Sequence, residues 1–171
     1  IIACLVGSEM CIRDSDRLEA SVVFDGEMIP GTFGGAPHNF TGGSWNPPTG
    51  YMSQKYLIPD NERPITADCN GNLDYIFMRY AEVLLMHAEA SMEIGDEAAA
   101  RSSLALIRQR AGLSDYPDAT TINSYKEKSL LGHNDLKAVV YHERRVELGL
   151  EHDRFYDLVR WGDASTCLLY T

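Results

Sequence analysis

The stretch Leu73 to Leu113, LDYIFMRYAEVLLMHAEASMEIGDEAAARSSLALIRQRAGL, decides how the chain folds. Apolar residues recur at Phe77, Tyr80, Ala81, Leu84, Leu85, Ala88 and Met92, the i, i+3, i+4, i+7 stripe of an amphipathic helix. Gly95 is placed to end that helix in the left-handed conformation, and Asp96 to cap the next one. The second helix carries Ala99, Leu104, Ile107 and Ala111 on one side, with Gly112 as its stop. So short a connection turns the two helices antiparallel into a helical hairpin. The small residues Ala81, Ala88 and Ala99 let the helices approach closely. A lone hairpin cannot bury its apolar faces, so it requires neighbours.

At 171 residues the chain is long enough for a domain with a real core, and 44% hydrophobic with 23% charged residues is an ordinary globular composition. A formal net charge of −10 argues against nucleic acid as a partner, because phosphate binding needs a basic face. No run approaches the roughly eighteen apolar residues of a membrane-spanning helix. The four cysteines, Cys4, Cys11, Cys69 and Cys167, show neither metal-ligand spacing nor a disulfide framework. The ends, IIACLVGSEMCIRDS at residues 1–15 and the segment 165–171 with its TCLLYT, do not continue the patterns of their neighbours. They resemble translated sequencing-adapter read-through, and non-native sequence is the expectation for both.

Outward from the hairpin, DRLEASVVF (Asp16 to Phe24) ends as a short strand and Asp25-Gly26 as a turn. Between Gly26 and Gly50 there are seven glycines, and six of the seven prolines lie between Pro30 and Pro64. That density of breakers excludes long elements. Aromatic residues are nonetheless interleaved there, and large rings in an ordered loop either plug a core or offer flat faces to a ligand. Tyr51 to Ile58 reads as a second short strand. After the hairpin, Ile122 to Leu131 is a short helix or an irregular turn. Asn134 or Asp135 caps a helix from Leu136 to about Leu150, with Val139, Val140 and Val146 inward. A last helix over DRFYDLVRW places Phe155, Leu158, Val159 and Trp161 toward the core, closed by Gly162. The expected fold is all-α: TPR-like antiparallel helical hairpins carrying a loop-rich, aromatic N-terminal insertion with short strands. Its expected organisation is a loop-rich segment over 16–72, the hairpin over 73–113 and terminal helices over 122–162.

HERRVE (His142 to Glu147) lacks the second histidine one turn on that a helical zinc site needs, since that position is Val146, so no metal is expected. Glu143 and Glu147 resemble a glycosidase carboxylate pair only in abundance of acids. With Arg144, Arg145, Arg154, Asp157 and Arg160 they read better as ion pairs fixing the last helices. GTFGGAP lacks the strand–helix context and the lysine of a phosphate loop, and no cofactor is expected. The loop Gly34 to Tyr56 is the best candidate for binding. Trp45, Tyr51 and Tyr56 supply stacking faces, Asn39 and Asn46 amide hydrogen bonds, with His38 beside them. Such a mixture suits sugar rings, which present apolar C–H faces and hydroxyls together. The alternative role for Trp45 and Tyr51 is to pin the loop to the helices.

Four segments in order, DRLEASVVF, RYAEVLLMHAEA (Arg79 to Ala90), IRQRAGL (Ile107 to Leu113) and HERRVELGLEHDRFYDLVRWGDA (His142 to Ala164), resemble the SusD/RagB family. The resemblance covers nearly everything between residues 16 and 164. His87, where tyrosine is usual, and Glu151-His152-Asp153 depart from the pattern without disturbing the scaffold. The resemblance implies a non-catalytic binder of oligosaccharide or polysaccharide at the outer-membrane surface. It also implies a SusC-like TonB-dependent transporter as partner, and a membrane tie only through a lipid anchor outside this sequence. Residues 16–164 would form the C-terminal part of such a protein, with N-terminal helical repeats lying elsewhere. A central helix is then expected to be partly uncovered. The rival expectations are a TPR-like scaffold for peptide or protein and, more weakly, a glycoside hydrolase.

Overall fold

The computed structural model describes residues 16–28, 36–40, 47, 49–57, 74–128 and 133–164. Two compact units divide at Phe77–Met78. The first contains helix α1 (Asp16–Glu19) and the strands β1 (Val22–Phe24) and β2 (Tyr51–Ser53). The strands pair antiparallel with Val22 opposite Ser53, Val23 opposite Met52 and Phe24 opposite Tyr51. Val22 and Val23 are buried, as β-branched residues in a short pleated pair should be. The expected strand from Tyr51 to Ile58 is thus confined to Tyr51–Ser53, because a turn at Gln54–Leu57 intervenes. The expected non-native segments at 1–15 and 165–171 lie outside the described residues.

The second unit is wholly helical among its described residues: α2 (Tyr80–Glu93), α3 (Glu97–Arg110), α4 (Ala119–Lys128), α5 (Asp135–Glu147) and α6 (Arg154–Trp161). The hairpin forms as its punctuation dictates. Gly95 adopts φ +82°, Asp96 N–H donates to Ser91 O at 2.8 Å, and Gly95 N–H donates to Met92 O at 3.1 Å, the paired bonds of a Schellman stop. The Asp96 carboxylate accepts from Ala99 N–H at 3.0 Å and caps α3. Gly112 closes α3 and Gly162 closes α6 in the same way. Asn134 caps α5 by accepting from Lys137 N–H at 2.8 Å. The ambiguous stretch after Pro117 resolves as helix α4, because Asp118 accepts from Thr121 N–H at 2.7 Å and nucleates it.

Helix α2 packs against α3 and α5, α4 packs on α5, and the shared core contains Leu85, Ala88, Leu104, Ile107, Val139 and Val140. Four residues expected inward are not. Phe77 is 86% exposed and Tyr80 is 72% exposed, because α2 starts only at Tyr80 and its buried arc runs through Leu85, Ala88, Glu89 and Ser91. On α6, Phe155 and Val159 face solvent while Asp157 and Leu158 are buried. The apolar stripe was a poor guide there because the buried partners of α6 are charged.

Opposite its buried arc, α2 presents Tyr80, Val83, Met86 and Ala90, with Ile94 just beyond its end, all exposed. A helix that is apolar on both faces is normally sandwiched. Helix α2 thus leaves one apolar face exposed, which includes Tyr80 of the expected stripe. The chain should self-associate through this face at about 100 µM, whereas Val83→Ser combined with Ile94→Ser should not. Sedimentation velocity distinguishes the two, and a monomeric parent chain at that concentration would refute the expectation.

Candidate functional site

The aromatic loop is organised on the dipeptide Phe24-Asp25. Its strand partner Tyr51 meets Phe24 edge to face, with ring centroids 5.5 Å apart at 88°. Beyond β1 the chain turns at Gly26, which takes φ +82°. Phe24 N–H donates to the Glu27 carboxylate at 2.9 Å and closes the turn. Residues 36–40 then run alongside it: Gly26 N–H donates to His38 O at 2.6 Å and His38 N–H to Glu27 O at 2.8 Å. Phe40 N–H donates to the Asp25 carboxylate at 2.7 Å. Alternation in this extended run buries His38 and Phe40 and turns Asn39 outward.

On the other side of β2, Gln54 N–H donates to Ser21 O at 2.9 Å and Leu57 N–H to Gln54 O at 3.0 Å. Tyr56 sits in that turn at φ +68° and is 39% exposed. A bulky residue in the left-handed region costs on the order of 1–2 kcal/mol per residue, so its neighbours hold it there.

Of the residues expected to contact a ligand, Asn39 and Tyr56 are therefore presented outward. Tyr51 is half-buried against Phe24, which leaves part of its ring as loop anchor. His38 is buried. Trp45 and Asn46 lie outside the described residues. Asp25 was not among the expected residues, yet its carboxylate ties the two sides of the loop together. The Asp-Gly turn signal at 25–26 was the available clue.

The carboxylates of the terminal helices are engaged by guanidinium groups. Arg108 reaches Glu143 with both side chains buried, and its Nε donates to Ser114 O at 2.7 Å. Arg79, at the start of α2, bonds Glu147 Oε1 at 2.6 Å, Glu147 O at 2.7 Å and both Glu151 oxygens, while Arg110 also reaches Glu147. Arg144 Nε donates to Asp157 at 2.7 Å. Arg160 bridges Asp157 and Glu89, and Trp161 Nε1 donates to Glu89 at 2.8 Å. Burial alone would raise the Glu89 carboxyl; its bonds from Arg160 and Trp161 outweigh that and hold it below the ordinary value. Burial would likewise lower the Arg79 guanidinium, but Glu151 and Glu147 push it upward.

Glu143 is enclosed with Arg108, and Glu147 is bridged by Arg79 and Arg110, so the glycosidase pair finds no support in this arrangement. Arg154 departs from its expected ion pair: its guanidinium lies 5.8 Å from the Trp161 ring centroid, a cation–π contact instead. Arg79, Glu82, Glu89, Arg108, Arg110 and Glu151 complete the network and were missed, since nothing local marks a charge as buried. No cluster of three or more His, Cys, Asp or Glu able to hold a metal occurs among the described residues.

The described residues thus form a helical unit with an ion-paired terminal segment and a separate unit with an aromatic loop on a two-stranded frame. The sequence profile of the SusD family matches residues 17–169, and the chain belongs to that family. It is 36% identical to the SusD-like protein P2 of Formosa agariphila over 91 residues, which are 53% of this chain and 17% of that protein. The crystal structure of a SusD-like protein from Bacteroides fragilis superposes with a TM-score of 0.65 and 31% identity over 85% of this chain and 27% of that one. The chain thus spans a minor part of the length of these relatives. Both the four-motif resemblance and the all-α reading agree with these matches. Proteins of the family are in general non-catalytic, glycan-binding lipoproteins of the outer-membrane surface that serve nutrient uptake.

Proposed function

We propose that the chain is part of a glycan-capture protein of the outer-membrane surface, which hands oligosaccharide or polysaccharide to a SusC-like TonB-dependent transporter and performs no catalysis. The carrying observation is family membership along residues 17–169. The loop chemistry supports it. Asn39 and Tyr56 face outward from a hydrogen-bonded frame, and Tyr56 keeps a costly backbone conformation that exposes its ring. Tyr51, Trp45 and Asn46 complete the proposed binding set.

Stacking on an aromatic ring is worth on the order of 1–3 kcal/mol for flat bases, and puckered sugars belong at the low end. Trp45→Ala in a family-length protein should weaken glycan binding roughly tenfold, since about 1.4 kcal/mol is a factor of ten. Tyr56→Ala should weaken it somewhat less. Affinity electrophoresis in polysaccharide gels measures both, and thermal melting checks that the fold is kept. If Trp45→Ala melts the protein instead, the tryptophan anchors the loop and the site assignment fails. Release of reducing sugar that depends on a particular Glu or Asp would overturn the non-catalytic reading.

The exposed apolar face of α2 favours one other reading, a scaffold that binds peptide or protein. Retardation by peptides and by no glycan in the same gels would select it.

A further inference from the structure

The frame that presents the aromatic loop is braced by carboxylates. Asp25 accepts from Phe40 N–H at 2.7 Å, and Glu27 accepts from Phe24 N–H at 2.9 Å. The main chain uses its neighbouring donors internally, Gly26 N–H to His38 O at 2.6 Å and His38 N–H to Glu27 O at 2.8 Å. Proteins hold an anion with a cation or with successive free backbone N–H groups. Here the amides of the turn are already bonded, two of them to side chains that are themselves negative. Asp25 is exposed and Glu27 half-buried, so neither charge is enclosed.

The chain around the frame supplies little counter-charge. From Met28 to Gln54 there is no Lys, Arg, Asp or Glu, although charged residues make up 23% of the chain. Over residues 16–57 the carboxylates Asp16, Glu19, Asp25 and Glu27 stand against the cations Arg17 and Lys55. Arginines of the helical unit are committed to carboxylates of that unit: Arg79 and Arg110 to Glu147, Arg144 to Asp157 and Arg160 to Glu89. The chain as a whole adds a long-range field of the same sign, with a formal net charge of −10.

The binding groups carried on this frame are themselves uncharged. Asn39 offers an amide, Tyr56 a ring face and a hydroxyl, and Tyr51 the exposed part of its ring. Such groups suit hydroxyls and apolar C–H faces. They bring no opposite charge to a carboxylate or sulfate that must leave water.

Resting on the reading of this loop as a glycan site, we propose that it selects uncharged sugars and rejects uronates and sulfated sugars. The selectivity is a difference of affinities. A neutral glycan gains the stacking and the amide bonds, whereas an anionic one makes the same contacts against the field of Asp25 and Glu27. A sugar carboxylate about 4 Å from either side chain loses roughly fivefold in affinity even at the dielectric of water. Salt screens that penalty and leaves stacking in place.

The test is binding of the whole chain to immobilised polysaccharides, neutral (amylopectin, galactomannan, xyloglucan) and anionic (polygalacturonate, alginate, dextran sulfate), at about 50 mM and about 500 mM salt. A neutral polysaccharide should bind at both salts, and every anionic one at least roughly fivefold more weakly at the lower salt. Asn39→Lys should gain salt-sensitive binding to an anionic polysaccharide, and circular dichroism checks that the variant keeps its helices. Tightest binding to an anionic polysaccharide, weakening as salt rises, would overturn the inference and leave glycan capture standing. So would a folded Asn39→Lys chain that discriminates as the parent does. Binding to no polysaccharide would sink the glycan reading of the loop, and this inference with it.

Discussion

Glu143→Ala should destabilise the helical unit by about 3–5 kcal/mol, because it leaves the Arg108 guanidinium buried without its counter-charge. Both side chains are almost wholly inside, at 3% and 2% exposure for Arg108 and Glu143. The remaining bonds of Arg108, from Nε to Ser114 O and from Nη2 to Ser114 Oγ, satisfy donors but cannot neutralise the charge. Removing both partners is a different experiment. Arg108→Leu with Glu143→Leu deletes the pair together with its desolvation cost, and should recover most of the loss. The double-mutant cycle therefore has a large coupling energy even if the intact pair contributes little net stability. Urea midpoints of the three variants measure it. A Glu143→Ala loss under about 1 kcal/mol would mean that water reaches Arg108 and that the pair is not enclosed.

These charges show where reading the sequence succeeded and where it could not. The ends of the helices were legible because their chemistry is local: Gly95 and Gly112 for the left-handed stops, Asp96 and Asn134 for the caps. The direction each helix faces was less so. Phe77, Tyr80, Phe155 and Val159 satisfy an apolar period, yet the core is lined by Glu89 and Asp157 in their place. Those acids are buried because Arg160, Trp161 and Arg144 meet them, and those partners lie on other helices or other turns. Periodicity measures one helix at a time and cannot register such a bond. The loop proposed to bind divides in the same manner. The residue types suited to a sugar could be recognised at Asn39, Tyr51 and Tyr56, whereas the frame that presents them depends on Gly26 meeting His38, Asp25 meeting Phe40 and Ser21 meeting Gln54. No spacing rule encodes those pairings.

Leu85→Ala should cost about 2–5 kcal/mol, the range for emptying a fully enclosed leucine site. Leu85 has no solvent exposure and sits on the helix that contacts both α3 and α5, so the cavity would open between three elements at once. Leu104 and Val139 belong to the same core, and neither can move inward without dragging its helix away from other partners. Met86, one residue further along, provides the internal control. It is an unbranched side chain on the exposed face, so Met86→Ala should change stability by no more than about 0.5 kcal/mol. The contrast separates burial from helix propensity, because alanine is the best helix former and is introduced at both positions. Equal losses at the two sites would show that the outer face of α2 is covered in solution. Equal and negligible losses would show that the helical unit does not have the core described here.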